Sequence, residues 1–498
     1  MTAPFRIAAL TAAASLAAGA ASADLTPADV WAQWQDAAAG FGQTLTAGDE
    51  EASADRLTLR DVTIVTDGPD GGANATFPEI VMTAQGDGTV AIAMPSETPV
   101  DVTTIGPDDE VSTFTVVIDQ SALDLVASGA PGAISYVYSA PEVTVRMTEA
   151  VVDGERMDLD ARVAMTGLEG SYAVTDGDPR EVASVLRAAA ITLAASGTDP
   201  DDSGDTFVIG LDVADLVSES SGSGLSLMGM ANLSEMVEAG LTSSGITTHG
   251  RAGFTLDGTS EGSAFSAAGS YGSGTYAVAI GTDGFDYDYS GRDFALTVSG
   301  DEIPLPEVAI AADEIGTRVA MPIGVSDEPE DVGFALRLVG LTLSEDIWAM
   351  FDPIGGLPRD PATLVLDIAA RANWLVDVFD PAVSEAMMDE APGEVHSVTV
   401  NELRLAALGA LLTGTGAFDF DNTGPVPQPA GTMNLRLEGA NALIDTLVNM
   451  GMLPQDQAMG ARMMLGLFAR PGDGPDTLVS EITVQPDGAV LANGQRIR

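Results

Sequence analysis

TYAVAIGTDGFDYDYSGRDFALTVSG occupies residues 275–300. Apolar side chains alternate with small or polar ones at Tyr276, Val278 and Ile280, then at Phe285, Tyr287 and Tyr289, then at Phe294, Leu296 and Val298. A period of two is the signature of a strand with one buried face. Gly281-Thr282-Asp283-Gly284 supplies the turn between the first two sets, since Gly and Asp accept the positive φ that tight hairpins need. The pattern extends outward from Ile246 to Gly324, through Phe254 and Leu256, Phe265, Tyr271, Val308 and Ile310. It predicts successive short strands in an antiparallel meander.

The same reading holds toward the N-terminus. Leu57 to Val65 is a strand leading to the turn Asp67-Gly68-Pro69-Asp70-Gly71-Gly72. Pro78 to Ala84 and Thr89 to Met94 flank Gly86-Asp87-Gly88, a strong hairpin signal. Alternation recurs at Phe114, Val116 and Ile118, at Ile134, Tyr136 and Tyr138, and at Val143, Val145 and Met147. Asp153-Gly154 turns the chain into Met157 to Met165. One helix stands before all of these. Thr26-Pro27 offers an N-cap and an N1 proline, Val30, Trp31, Trp34 and Ala38 share a face, and Gly40 or Gly42 ends it.

A unit of strand followed by short helix recurs at 113–129, 206–220, 333–353, 363–381 and 432–451. Two copies end in Phe-Asp-Pro, at Phe351 to Pro353 and Phe379 to Pro381, where proline cannot continue a helix. The expected fold is mainly β with a helical minority (α+β). It is an elongated antiparallel sheet, a sandwich or a half-barrel, with short amphipathic helices capping strands. Ser218 to Gly224 (SESSGSG) marks a soft boundary. The expected organisation is a signal segment at 1–23 and β-rich halves at 24–240 and 241–498, or one continuous unit at 24–498.

Residues 1–23 read as a secretory signal. Arg6 gives a positive start, Ile7 to Ala20 is apolar and small, and Ala21-Ser22-Ala23 fits the cleavage rule. No later apolar run approaches a membrane span; Leu405 to Leu412 is the longest. The expected address is the periplasm of a Gram-negative bacterium, with release from the cell as the alternative.

Acidic residues number 74 against 20 basic ones, for a formal charge of −54, and every basic residue is arginine. Such a surface repels nucleic acid and anionic membrane. There is no cysteine and only two histidines, which removes thiol nucleophiles, Schiff-base lysines and cysteine–zinc sites. Gly258-Thr-Ser260-Glu-Gly262 matches a nucleophile elbow in letters, but that motif needs a strand-to-helix turn and these residues sit between antiparallel strands. His249 is expected on the face of Arg251, away from Phe254, and His396 on the face of Val398 and Val400. Asp199 to Asp205 partly resembles a calcium loop, yet its twelfth position is Gly210 rather than the bidentate Glu. Asp67/Asp70/Asn74 and Asp108/Asp109/Glu110 read as solvated turns. Trp31/Trp34 and Trp348/Trp374 read as helix-on-sheet anchors. Met450, Met452, Met459, Met463 and Met464 read as soft core packing, with an acyl-chain lining as the alternative.

Several turns carry a resemblance. Val30-Trp31 with Gly40-Phe41-Gly42, the hairpin Gln85 to Val90, Gly414 to Asp419, Pro429-Ala-Gly431, Leu447 to Gly451 and Asp487 to Gly494 are similar to the bacterial DUF2125 family of exported proteins. The resemblance spans nearly the whole chain after residue 23 and implies no catalytic residue. More loosely, strand arrays with short helices resemble AsmA-like envelope proteins, whose grooved sheets are linked to lipid traffic.

These readings assign no catalytic, cofactor-binding or metal residue. The expected function is a non-enzymatic envelope protein with a β-rich body that binds a lipid-like or apolar ligand. One alternative is an assembly protein that pairs a sheet edge with another envelope protein. The other is a hydrolase using carboxylates and calcium, the one cofactor that Asp-rich loops would suit. The oligomeric state stays open.

Overall fold

The computed structural model describes residues 24–68, 71–106, 110–152, 154–198, 204–224, 232–380, 383, 391–424 and 426–498. The signal segment and most of the Asp199 to Asp205 loop lie outside these residues, as do Asp70, Asp108 and Asp109.

Every strand joins one antiparallel sheet. Strands adjacent in sequence are mostly neighbours in space, so the chain meanders from Arg56–Gly68 and Gly71–Ala84 to Thr477–Val484. The hairpins fall where Gly and Asp placed them. Ala84 faces Val90 across Gly86-Asp87-Gly88, and Gly281 pairs with Gly284. Ser260 pairs with Ser263, with Glu261 and Gly262 both at positive φ, so the elbow-like letters form a β-turn.

The strands are longer than their alternation suggests. Phe285 to Val298 lies within a single strand, Gly284–Gly300, rather than two. Its apolar positions change from odd to even at Asp293, which has φ +53. A residue in the left-handed region interrupts the two-residue alternation and bends the strand. Register is kept, because Arg292 pairs with Glu314 and Phe294 with Ala312. Tyr271 confirms that both apolar sets share one face, with its ring 6.4 Å from Tyr289 before the break and 5.1 Å from Phe294 after it.

The same break recurs as a crease across the sheet. Asp61, Gly167, Asp215 and Gly340 also have positive φ in mid-strand. Each meets a small or short residue on the next strand. Asp61 lies against Gly48, Gly167 against Ala189, Asp215 against Gly250, and Gly340 against Asp313.

The sheet also curls. Helix α2 (Leu233–Glu238) follows the N-cap Asn232. Asn232 and Ser234 donate to the Asp377 carboxylate at 3.0 and 2.9 Å. At the other end, Gly240 lies against Pro179. Residues 232–240 span roughly 14 Å at helical rise. Laid flat, the seven strand spacings between the Glu181–Thr198 and Ala362–Trp374 strands would cover roughly 33 Å. The helix is a chord across the curl.

Helix α1 (Pro27–Gly40) has the expected start, a capping box between Thr26 and Asp29 behind an N1 proline. It presses Val30 and Trp31 onto Leu59, Val62, Ile80, Met82, Val90 and Ile134, the main fully buried cluster. Helix α3 (Glu345–Phe351) and helix α4 (Ala440–Asn449) follow their strands as the repeated unit predicts. The other three copies carry no helix. At 120–123, Asp119 accepts from the Ser121 N–H and the Leu123 N–H donates to Gln120 O, making a turn. Residues 206–220 pair on both sides within Thr206–Ser223, and Asp377 accepts from the Phe379 N–H in another turn. Trp374 therefore ends a strand instead of anchoring a helix, its Nε1 donating to Pro322 O. Ser218 to Ser223 is sheet rather than linker for the same reason. Helix α5 (Gln455–Phe468) follows α4 in the chain and precedes the Thr477–Val484 strand.

Candidate functional site

One face of the sheet is apolar over most of its length, with a stretch of small and polar residues in the middle. A single row of directly paired residues runs Val90, Ala127, Tyr136, Tyr172, then through Ser184, Ser220 and Gly245 to Val278, Tyr287, Val319, Phe334, Ile368 and Val400. It continues through Gly416 and Met433 to Ile482. A second row runs Ile315, Leu338, Leu364, Leu405, Leu412, Leu437 and Leu478. The parity breaks keep these side chains on one side; without them, half of each strand would turn its apolar residues away.

Among the described residues, helices α1 and α5 lie over this face at its two ends. At the first, Trp34 lies 6.4 Å from the Tyr136 ring, whose hydroxyl donates to Gln33 Oε1 at 2.6 Å. At the last, Ala461, Leu465 and Phe468 of α5 lie over Leu412, Leu437 and Leu478. Between them, Leu211, Phe254, Tyr276, Phe334 and Leu405 remain 39–44% exposed. A monomer rarely leaves so extended an apolar surface in water without using it.

The opposite face carries the charge. Arg318 pairs with Asp286 at 2.7 Å, Arg337 with Glu314 at 2.6 Å, and Arg187 with Glu219 at 3.6 Å. Such exposed pairs contribute little to stability; their effect is to sort polarity between the two faces. Burial pushes the Asp288 carboxyl above its ordinary range, against the nearby Arg318. On the apolar side, burial raises the Tyr136, Tyr172 and Tyr289 phenols.

The residues singled out in the sequence do not converge. His249 sits on the apolar face, because Gly250 lies at the crease and reverses the alternation; its ring lies over Gly274 and its Nδ1 is 2.8 Å from Gly250 O. His396 occupies a bulge opposite Arg371 and Ala372, with Nε2 2.7 Å from Asn373 Oδ1. Trp31 is buried against the sheet and donates to Glu50. Met459 and Met463 are 71% and 73% exposed, not core, because α5 packs through Ala458, Ala461 and Leu465 instead. Among the described residues, no group of three or more His, Asp or Glu is placed to hold a metal ion. Nor is any described helix long and apolar enough to cross a membrane. The continuous face was the feature that sequence reading missed. Its signal is the odd-to-even switch of apolar positions at each Asp or Gly of the crease.

A family model described as an uncharacterized protein conserved in bacteria (DUF2125) matches residues 249–497, half of the chain. The chain belongs to the DUF2125 family. The DUF2125 match begins at the crease in the Thr242–His249 strand and runs through α5 to the terminal hairpin. Gly414 to Asp419 and Asp487 to Gly494 fall within it. Val30-Trp31 and the Gln85 to Val90 hairpin fall outside, so the DUF2125 match is shorter than the resemblance implied. No curated protein and no solved structure matches the chain, and the AsmA-like likeness gains no support there.

Proposed function

We propose that this protein is exported to the periplasm and acts there without catalysis, holding a lipid-like ligand on the apolar face of its curled sheet. The observation that supports this reading is the largely apolar face along the row from Val90 to Ile482, of which Leu211, Phe254, Tyr276, Phe334 and Leu405 stay exposed. Hydrocarbon gains about 25 cal/mol for each Å² of apolar surface removed from water, and this face offers such surface without a competing charge. The signal-like pattern of residues 1–23 supports export. The scarcity of histidine and absence of cysteine and lysine support a non-enzymatic role.

The assembly alternative has less behind it. The first sheet edge is made by two four-residue strands, Gln43–Thr46 and Asp49–Ala52, the second with three successive acids and every residue exposed. Short, charged edges discourage strand addition. At the other edge the Gln495–Arg496 strand is shorter still, at two residues.

Organic-solvent extraction of the purified protein, followed by mass spectrometry, tests the reading. A lipid in near-stoichiometric amount is the expected result. A stoichiometric protein partner on pull-down, with no lipid in the extract, would replace it with the assembly role.

A further inference from the structure

Helix α5 does not close down on the sheet. Between them lies a cavity of about 540 Å³, lined by Leu412, Leu435, Leu437, Phe468, Leu478 and Ile482, with Met464 among its remaining walls. This volume lies within the range of small-molecule sites, roughly 300–1,000 Å³. The one side-chain polar atom on its wall is Ser480 Oγ, and that hydroxyl donates to Phe468 O at 2.5 Å. No side chain is left to bind a polar group inside. A polar occupant would lose its hydration without replacement, at a cost of several kcal/mol; a hydrocarbon would lose nothing.

The cover is built to loosen. Gly460 and Gly466 lie inside α5, and a Cβ at either would meet nothing within 4 Å. Packing therefore does not demand glycine, while each weakens the helix by about 0.5–1 kcal/mol relative to alanine. The N-cap Pro454 makes no side-chain cap. The last turn, by contrast, is tied down, since Phe468 O also accepts from Asn493 Nδ2. Met464 lines the cavity yet is 51% exposed, so it stands at the rim.

We propose that this cavity takes one hydrocarbon chain of a lipid-like ligand, with α5 as a cover hinged at Phe468 and Met464 at the mouth. The inference rests on the reading above and assigns its site.

The test uses the full chain, stripped of lipid and titrated with cis-parinaric acid, whose fluorescence rises on leaving water. Saturable binding of a single probe per chain is expected. Ala461→Phe, which fills the cavity, should weaken it about tenfold or more, while Val208→Ser, exposed on the opposite face of the sheet, should leave it nearly unchanged. Wild-type affinity in Ala461→Phe would overturn this site but keep the lipid reading; no binding by the wild type would sink both. Should Ala461→Phe fail to fold, the wild type with isotope-labelled methionine methyls decides. The Met464 signal must shift on probe addition while that of Met82, buried in the core under α1, does not, and an unmoved Met464 would overturn the site.

Discussion

The Asp293 carboxylate stands 2.6 Å from the point where Gly272, at the bend between the Ser263–Tyr271 and Ser273–Gly281 strands, would carry a Cβ. Asp293 is the residue at which the Gly284–Gly300 strand reverses its apolar parity, so the crease depends on both partners. Gly272→Val should force the carboxylate aside and cost about 1–3 kcal/mol. Asp293→Asn should be nearly neutral, since Asn also tolerates positive φ, whereas Asp293→Val should destabilise. Urea midpoints of the three variants check this.

Asp377 holds the chord across the curl. Burial acts to raise its pKa, but hydrogen bonds from Asn232, the Phe379 N–H and Ser234 outweigh it, so the carboxyl sits below its ordinary range. A depressed carboxyl contributes stability above its unfolded value, near pH 4, and loses it as pH falls through the folded value. Asp377→Ala should cost about 1–3 kcal/mol at neutral pH. It should also flatten the fall in melting temperature below about pH 4. An unchanged acid profile would detach Asp377 from the strut.

Stability should be uneven along the sheet. Leu59 is fully buried under α1, while Leu366, on the open part of the face, is only half-buried. Leu59→Ala should cost about 2–5 kcal/mol and Leu366→Ala clearly less. Equal costs would mean that the face is covered in solution.

Gly460→Ala with Gly466→Ala should stabilise α5 by up to about 2 kcal/mol in all. Slower amide exchange across 455–468 would register it. Faster exchange would show that the glycines serve packing after all.

Turns were legible in the sequence because a hairpin needs Gly or Asp at fixed positions, as at Gly281 to Gly284. The helix α1 was legible from its capping residues. Strand lengths were not, because Asp293 looks like a strand end when only alternation is read. The same switch misplaced His249, whose face is reversed at Gly250. The helix expected within 206–220 did not form because pairing on both flanks outweighs local propensity. Of the candidate site, single apolar residues could be read, but their alignment into rows depends on register across many strands. The outward turn of Met459 and Met463 depended on which stripe of α5 meets the sheet.

Photo-crosslinking tests the central claim most directly. The protein is irradiated with a phospholipid bearing a diazirine in its acyl chain, and adducts are mapped by mass spectrometry. Adducts should concentrate on the apolar face, at Phe254, Tyr276, Phe334, Leu405 and Met464. Labelling of Val208 and Ile246, exposed on the opposite face, to the same extent would contradict it.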